Sequence, residues 1–456
     1  MSEQTLRRSI TVTQGVALYV GAIVGAGVLL LPALSATRAG PAAITAWIFD
    51  AVLGIPLALT LAALASRYPN AGGVATFVTQ AFGSAAGTVI GWFYFIAAAT
   101  AQTLVALTGA YYASSYLGLS RAATFLLAGL ILVVATVANL RGIKVSGRLQ
   151  LAFAGTVAVL LFLALLVSVP RFSAANWTPF APHGMGEVGS VAVVIFFAFF
   201  GWEAITHLAE EFRDPARDVP RSTMISVGVI TLLYVGVVVA TISTRTYGSD
   251  AVNRTVIARL LANGFGGPAG TLTAVIALLI SLGTANAFVA ATSRLGYALA
   301  RDKAFPAPLA RLSTRGVPAV SVLVVGGYAT LGVVVGYFAQ WGPETLLVVP
   351  NSLVIMTFLA AMAAGVRLLH GRARVLAAIG TVLCLVLIPF SGVVVVIPVL
   401  IAVLALLYRR WTRSRGRSEG EEGLRETPAG EPPAGPHLVC GGAPPPLPPF
   451  VGPARP

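Results

Sequence analysis

The chain has 456 residues, 57% of them hydrophobic and only 10% charged, with a formal net charge of +14. Soluble globular domains carry about 25% charged residues, so this composition excludes an ordinary soluble fold and indicates a polytopic membrane protein. In a soluble chain such a basic excess would suggest a nucleic-acid partner; here its placement follows membrane topology instead.

Successive apolar stretches, each long enough for the ~30 Å of hydrocarbon in a bilayer, predict an all-α integral membrane protein with about twelve transmembrane helices. Residues 1–12 read as a short cytoplasmic N-terminus. Arg7 and Arg8 precede an apolar run too long for a secretory leader, so the first span, about 13–36, is expected to be uncleaved. Inside it lies Gly21-Ala22-Ile23-Val24-Gly25-Ala26-Gly27, followed by Pro32. Glycine loosens a helix and proline deletes a hydrogen bond, while an unpaired amide in a bilayer costs several kcal/mol. An unwound turn there would have to line a protein cavity, with the next half-helix presenting free N–H groups and a positive dipole end suited to a carboxylate. Close helix packing through small residues accounts for the same glycines.

The second span, about 42–66, opens at Pro41 and contains Asp50; the turn Tyr68-Pro69-Asn70-Ala71-Gly72-Gly73 follows. The third (about 85–116) includes Gln102, and the fourth (about 122–140) ends in Asn139-Leu140-Arg141-Gly142-Ile143-Lys144. After a fifth span at about 149–169 comes a loop with the interfacial aromatic Trp177. The sixth, about 187–209, holds Phe196-Phe197-Ala198-Phe199-Phe200-Gly201-Trp202-Glu203 and runs into an Arg- and Asp-rich loop. It is a second span interrupted near its centre, an odd number of crossings after the first, so the two would enter the bilayer from opposite sides. Such a pair points to a midplane binding site. Spans at about 222–246, 267–299, 318–339, 345–368, 374–390 and 392–408 follow. Asn286, Thr292 and Ser293 fall in the eighth, and Asn351 and Ser352 in the tenth. From 409 to 456 the composition turns to Arg, Glu, Gly and Pro, ending in a proline-rich run, which predicts a disordered cytoplasmic tail.

With the N-terminus inside, most Lys and Arg fall in cytoplasmic loops and the tail. Arg38, Arg121, Arg171, Arg245, Arg254 and Arg259 remain outside. This asymmetry sets both termini in the cytoplasm and accounts for the basic charge. Cys384 and Cys440 form neither a disulfide framework nor a metal site.

Glu203 is the sharpest polar candidate. A charge at the bilayer centre costs about 2.5–3.5 kcal/mol on insertion scales, which protonation relieves. A proton-coupling role and a structural cap on the second half of span six both fit. Asp50 is a second intramembrane carboxylate, expected to hydrogen-bond a neighbouring span or to act in coupling or gating. Gln102, Asn286 and Asn351 are candidate cavity-lining groups, or helix-to-helix bonds. His207, near the cytoplasmic end of span six, reads as a wet or packing residue.

Taken together, the broken first span, the Tyr68 to Gly73 turn, the Asn139 to Lys144 loop, Phe200-Gly201-Trp202-Glu203 with Asp214-Pro215 and Val219-Pro220, and Ser293-Arg294 to Arg301-Asp302 resemble the amino acid–polyamine–organocation superfamily of transporters. The resemblance covers about residues 10 to 400. Gly72 to Val78 and Glu203 to Phe212 look most like a branch of bacterial neutral amino acid exporters associated with methionine and branched-chain substrates. Where the wider family has aromatics after the double glycine, Ala75 and Phe77 stand here.

The resemblance implies a five-plus-five inverted repeat with two added C-terminal helices and broken helices 1 and 6. Repeat one would cover about 13–169, repeat two about 187–368 and the added helices 374–408, in one transporter domain over 13–408. Ile23, Gly25, Ala26 and Gly27 would bind substrate from span one, the glycine-rich amides taking its carboxylate. Phe197, Ala198, Phe200 and Gly201 would lie at the break in span six, offering carbonyls to the amino group and rings as walls. Glu203, Trp202 and Asp50 would serve coupling or gating, and Thr292 and Ser293 are weak candidates for sodium, the only metal considered.

The expected function is secondary active transport of neutral, apolar amino acids such as Leu, Ile, Val or Met across the plasma membrane by alternating access, with the proton as a candidate coupling ion in antiport or export. Sodium-coupled uptake or exchange, or a non-transporting membrane sensor on the same scaffold, are the alternatives. The chain carries no metal-spaced His and Glu, no nucleophile–base pair and no phosphate loop, which argues against an enzyme or an ATP-driven pump. Its partners are thus a small-molecule substrate and the lipid bilayer, with no cofactor and no nucleic acid.

Overall fold

The computed structural model describes residues 10–68, 72–142, 147–203, 206, 212–314 and 316–425. Several sequence features therefore lie outside the described residues: Pro69 to Ala71, Ile143 and Lys144, His207, and the proline-rich run after 425. Among the described residues the chain is almost wholly helical, with a single isolated bridge between Ile10 and Phe212 and no strand.

The first interrupted span consists of α1 (Val12–Ile23) and α2 (Ala26–Ala39). A capping box starts α1: the Thr11 hydroxyl accepts the Gln14 N–H while the Gln14 side chain accepts the Thr11 N–H. A short 3-10 turn at Gly40–Ala42 leads to α3 (Ala43–Arg67), then α4 (Gly73–Phe82) and α5 (Ser84–Leu117), parted by Gly83 at φ +89°. Next come α6 (Arg121–Leu140), capped by the Ser120 hydroxyl, and α7 (Gly147–Ser168). The second interrupted span begins as α8 (Gly186–Ile195) and tightens into a 3-10 segment, Phe196–Phe199. Asp214 caps α9 (Pro215–Ser243), whose first residue is proline, where no N–H is needed. The short helices α10 (Asp250–Asn253) and α11 (Val256–Phe265) precede α12 (Gly267–Arg301), α13 (Ala319–Phe338) and α14 (Pro343–Leu368). The last two are α15 (Gly371–Leu387) and, after a 3-10 stretch at Ile388–Val395, α16 (Val396–Arg425).

Nine helical segments among the described residues are long and apolar enough to cross a membrane. The sequence expectation was about twelve, and the difference has a physical origin. Two of the nine, Gly27–Arg67 and Gly371–Thr412, each hold two helices joined through a turn. The sixth expected span contributes only the shorter stretch Gly186–Phe199. Ten-residue helices such as α4 and α11 rise about 15 Å and cannot cross alone.

The chain through Arg410 makes one compact unit, and the residues from Trp411 onward make another. Helix α16 continues to Arg425, so the expected loss of regular structure from 409 does not occur at that point. The stretch is rich in Arg and Glu, good helix formers that extend a helix already nucleated by apolar residues.

Helices approach closely at small residues. The long α5 lies against α12 so tightly that a Cβ on Gly109 would sit 2.5 Å from the Cβ of Ser281. Gly109→Leu is expected to separate these two helices and destabilise the bundle by about 1–3 kcal/mol, the usual cost of overpacking. A lowered thermal midpoint of the purified protein in detergent checks this; an unchanged midpoint would show that the helices part freely.

Candidate functional site

Helix α1 stops at Ile23, Val24 and Gly25 are non-helical, and α2 starts at Ala26. Gly25 holds the N-cap position and offers no side chain, so no side-chain hydrogen bond caps the first N–H groups of α2. In the other interrupted span, Phe200 is extended and Gly201 adopts φ +134°, a region that side chains disfavour. A Cβ on Gly201 would stand 2.9 Å from Ile23 Cγ1 and 3.0 Å from the Ala22 carbonyl oxygen. A Cβ on Gly27 would meet Ala198 Cα at 3.1 Å. The two breaks therefore pack backbone against backbone.

Unwinding frees carbonyls, and one side chain serves two of them. The Tyr234 hydroxyl, from the middle of α9, lies 2.8 Å from the Ile23 carbonyl oxygen and 2.9 Å from that of Ala198. With one proton to donate, it shares it between acceptors on the two broken helices. Edge contacts with Trp47 at 5.5 Å and Phe199 at 5.3 Å hold its ring. Tyr112 of α5 acts similarly on α2: its hydroxyl donates to the Leu29 carbonyl at 2.7 Å and accepts the Ile257 N–H at 3.3 Å.

Beside the breaks is a cavity of about 20 Å³, roughly the room of one water. Ala22, Ile23, Gly25, Gly27, Phe197 and Phe200 line it from the interrupted helices. Ala101, Gln102 and Val105 of α5, with Thr284 and Phe288 of α12, complete the lining, and none of these carries a charge. The Phe200 ring stacks between neighbours, 6.3 Å from Phe197 and 5.9 Å from Phe288.

Polar contacts join the last turn of α2 to neighbouring segments. Thr37 donates to the Asn253 side-chain oxygen at 3.0 Å, and the Gly248 N–H reaches both. Arg38, in the last turn of α2, pairs with Glu187 at the start of α8 (3.3 Å) and with Glu344 at the start of α14 (3.9 Å).

Of the residues singled out in the sequence, Ile23, Gly25, Gly27, Phe197, Phe200 and Gln102 come together on the cavity. Ala26 opens α2, and Ala198 contributes its carbonyl to Tyr234. Gly201 shapes the break behind the wall. Glu203 is 1% exposed and is not among the residues that line the cavity. Its carboxylate accepts the Gly201 N–H at 3.1 Å and the Tyr94 hydroxyl at 3.0 Å, and its carbonyl accepts both the N–H and the hydroxyl of Thr206. Two donors offset the burial of the carboxylate and fix the turn. The Trp202 ring packs 5.5 Å from Tyr19, with its N–H unpartnered among the described residues.

Other candidates stand apart from the cavity lining. Asp50 is buried in α3, and neither oxygen has a hydrogen-bond partner among the described residues. The expected bond to a neighbouring span is therefore not formed there. Asn286 accepts from Asn139 of α6 at 2.9 Å, and Asn351 of α14 donates to the Val194 carbonyl of α8 at 2.9 Å. Both act between helices. The Ser293 hydroxyl donates to the Ala290 carbonyl of its own helix at 3.0 Å, while the buried Thr292 hydroxyl has no partner among the described residues. The sequence reading passed over Tyr234, Tyr94, Thr284 and Phe288. For the tyrosines a signal existed, since a phenol at the centre of an apolar span must find an acceptor there.

Comparison with known proteins places this geometry in a family. Residues 10–420 match the family described as Amino acid permease. The chain is 36% identical to the uncharacterized amino acid permease YecA of Bacillus subtilis, over 89% of this chain and 96% of that protein. It is 32% identical to the L-methionine/branched-chain amino acid exporter YjeH of Escherichia coli, over 85% and 92% respectively. With the branched-chain amino acid permease BcaP of Bacillus subtilis it shares 32% identity over 52% of this chain and 54% of that protein. Two interrupted helices around a buried, uncharged cavity and these similarities agree, and the chain belongs to the amino acid permease family of the amino acid–polyamine–organocation superfamily.

Proposed function

We propose that the chain is a secondary transporter of neutral, apolar amino acids, chiefly leucine, isoleucine, valine or methionine, working by alternating access in the plasma membrane. The observation that carries this reading is the meeting of two helix breaks beside one buried cavity whose lining has no charge. The uncapped N–H groups at the start of α2 suit a carboxylate, and the carbonyls of Ile23 and Ala198 suit an ammonium. An aliphatic side chain would meet Phe197, Phe200, Val105 and Phe288. A cationic or anionic side chain would find no counter-charge among the lining residues, and burying one unpaired is costly. YjeH is named for methionine and branched-chain substrates, which favours the same class here.

On this reading α1 to α7 and α8 to α14 are the two inverted halves, with α15 and α16 added, and both termini are cytoplasmic. The Arg38 cluster and the α10–α11 segment then close the outer side. Since the cavity holds about one water, its walls separate to admit substrate. Glu203 couples that movement to protonation, because its carboxylate ties the Gly201 turn to Tyr94 of α5. Losing the charge weakens both hydrogen bonds, one from the Gly201 N–H of the turn and one from the Tyr94 hydroxyl.

Uptake of labelled leucine or methionine into proteoliposomes tests the transport reading; absence of flux under every imposed gradient would favour a sensor. Competition refines it: arginine and glutamate should compete at least about tenfold more weakly than leucine, a difference of about 1.4 kcal/mol. Strong competition by either would require a charged partner in the pocket. Gly27→Val should abolish binding while leaving membrane insertion intact, because its side chain drives the first break away from Ala198. Unchanged affinity would separate the glycine from the site. Transport should also depend on pH, and Glu203→Gln, which mimics the neutral acid, should flatten that dependence while preserving binding. A wild-type pH profile in the variant would make Glu203 a structural cap, and flux tracking sodium would direct attention to Thr292 and Ser293.

A further inference from the structure

The cavity has one polar feature that an aliphatic substrate leaves unexplained. Gln102, in the middle of α5, is fully buried, and neither its amide nitrogen nor its amide oxygen has a hydrogen-bond partner among the described residues. The other side-chain amides buried between these helices are at least partly used. Asn139 donates to Asn286, and Asn351 donates to the Val194 carbonyl. Gln102 instead lines the cavity together with Thr284 of α12. A buried amide left unpaired at both ends bears the full desolvation of its donor and its acceptor.

The direction in which a bound amino acid would point follows from where the backbone groups lie. The uncapped N–H groups of α2 and the unwound carbonyls all belong to the interrupted helices. An amino acid anchored there by its carboxylate and ammonium extends its side chain towards the remaining wall, which is α5 and α12. We infer that Gln102 contacts the substrate side chain and ranks neutral amino acids, favouring those whose side chain carries a hydrogen-bonding atom over their aliphatic isosteres. This rests on the transport reading and extends its substrate class to neutral amino acids with a hydrogen-bonding side chain. A thioether sulfur accepts weakly from the amide N–H, and a hydroxyl both donates and accepts, whereas a purely aliphatic chain strands both ends of the amide.

Two near-isosteric pairs isolate the effect: threonine against valine, and methionine against norleucine. Displacement of labelled methionine from the purified full-length protein in detergent gives the four affinities. Wild type should bind threonine about tenfold more tightly than valine, the worth of one well-made hydrogen bond, and methionine several-fold more tightly than norleucine. In Gln102→Leu both ratios should fall to about one or invert, with the aliphatic members gaining. Gln102→Met, unbranched like glutamine, should give the same result and guards against a packing fault in the leucine variant.

Wild-type ratios near one in both pairs overturn the inference whether or not either variant folds. Ratios unchanged in well-folded variants overturn it too, as does an equal loss for all four ligands, which would place Gln102 on the shared amino acid backbone. If no amino acid displaces or binds at all, the transport reading fails and takes this inference with it; binding without discrimination removes the inference alone.

Discussion

The structure depends on one demand of the bilayer: a backbone group released by unwinding has to find a partner inside the protein. Two helices are interrupted, at Val24-Gly25 and beyond Phe199. Tyr234 answers for a carbonyl on each with a single hydroxyl. Its ring is wedged among Trp47 and Phe199, so the position of that hydroxyl is set by aromatic packing and does not depend on flexible loops. Glu203 has the matching task for N–H groups, receiving Gly201 and so holding the second break in its unusual backbone conformation. Between them, a phenol and a carboxylate satisfy two of the freed carbonyls and one freed N–H, while the first N–H groups of α2 keep no side-chain cap.

Charge is arranged accordingly. The cavity lining has no formal charge, while the charged residues near it lie outside that lining or at the helix ends. Arg38 collects Glu187 and Glu344 from the starts of two further helices, where partial exposure softens the cost of bringing charges together. Asp50 is the exception, a buried carboxylate whose oxygens lack any hydrogen-bond partner among the described residues. In an apolar setting an unpaired charge of this kind is expensive.

Much of this was legible in the residues. Glycine at 25 and 27 within an apolar run, and Gly201 next to Glu203 in another, marked where the helices would break, because the bilayer leaves few reasons to place them there. Ile23, Phe197 and Phe200 followed from adjacency to those breaks. What escaped the sequence depends on facing between distant segments. Nothing local to Thr284 or Phe288 shows that their turns of α12 face the cavity, since α12 is apolar on most sides. Asn286 and Asn351 look like cavity groups in a linear chain, and only the packing of neighbouring helices shows their amides occupied. The short helices α10 and α11 were hidden for another reason. Helices of four and ten residues that carry Asp250, Asn253, Arg259 and Asn263 are too short and too polar to stand out as spans and resemble a loop.

The contact of Gly201 with Ala22, and of Gly27 with Ala198, also bears on how such a chain can change over generations. A side chain at either glycine meets backbone of the other helix, Ala22 or Ala198, so replacement at one position requires that backbone to give way as well as any side chain beside it. The two breaks are thereby bound to a shared history, each restricting what the other accepts. Val105 and Phe288 line the cavity from the uninterrupted helices α5 and α12 and carry no such obligation. Divergence among related chains should accumulate on that wall, altering what is admitted while the machinery that moves stays fixed.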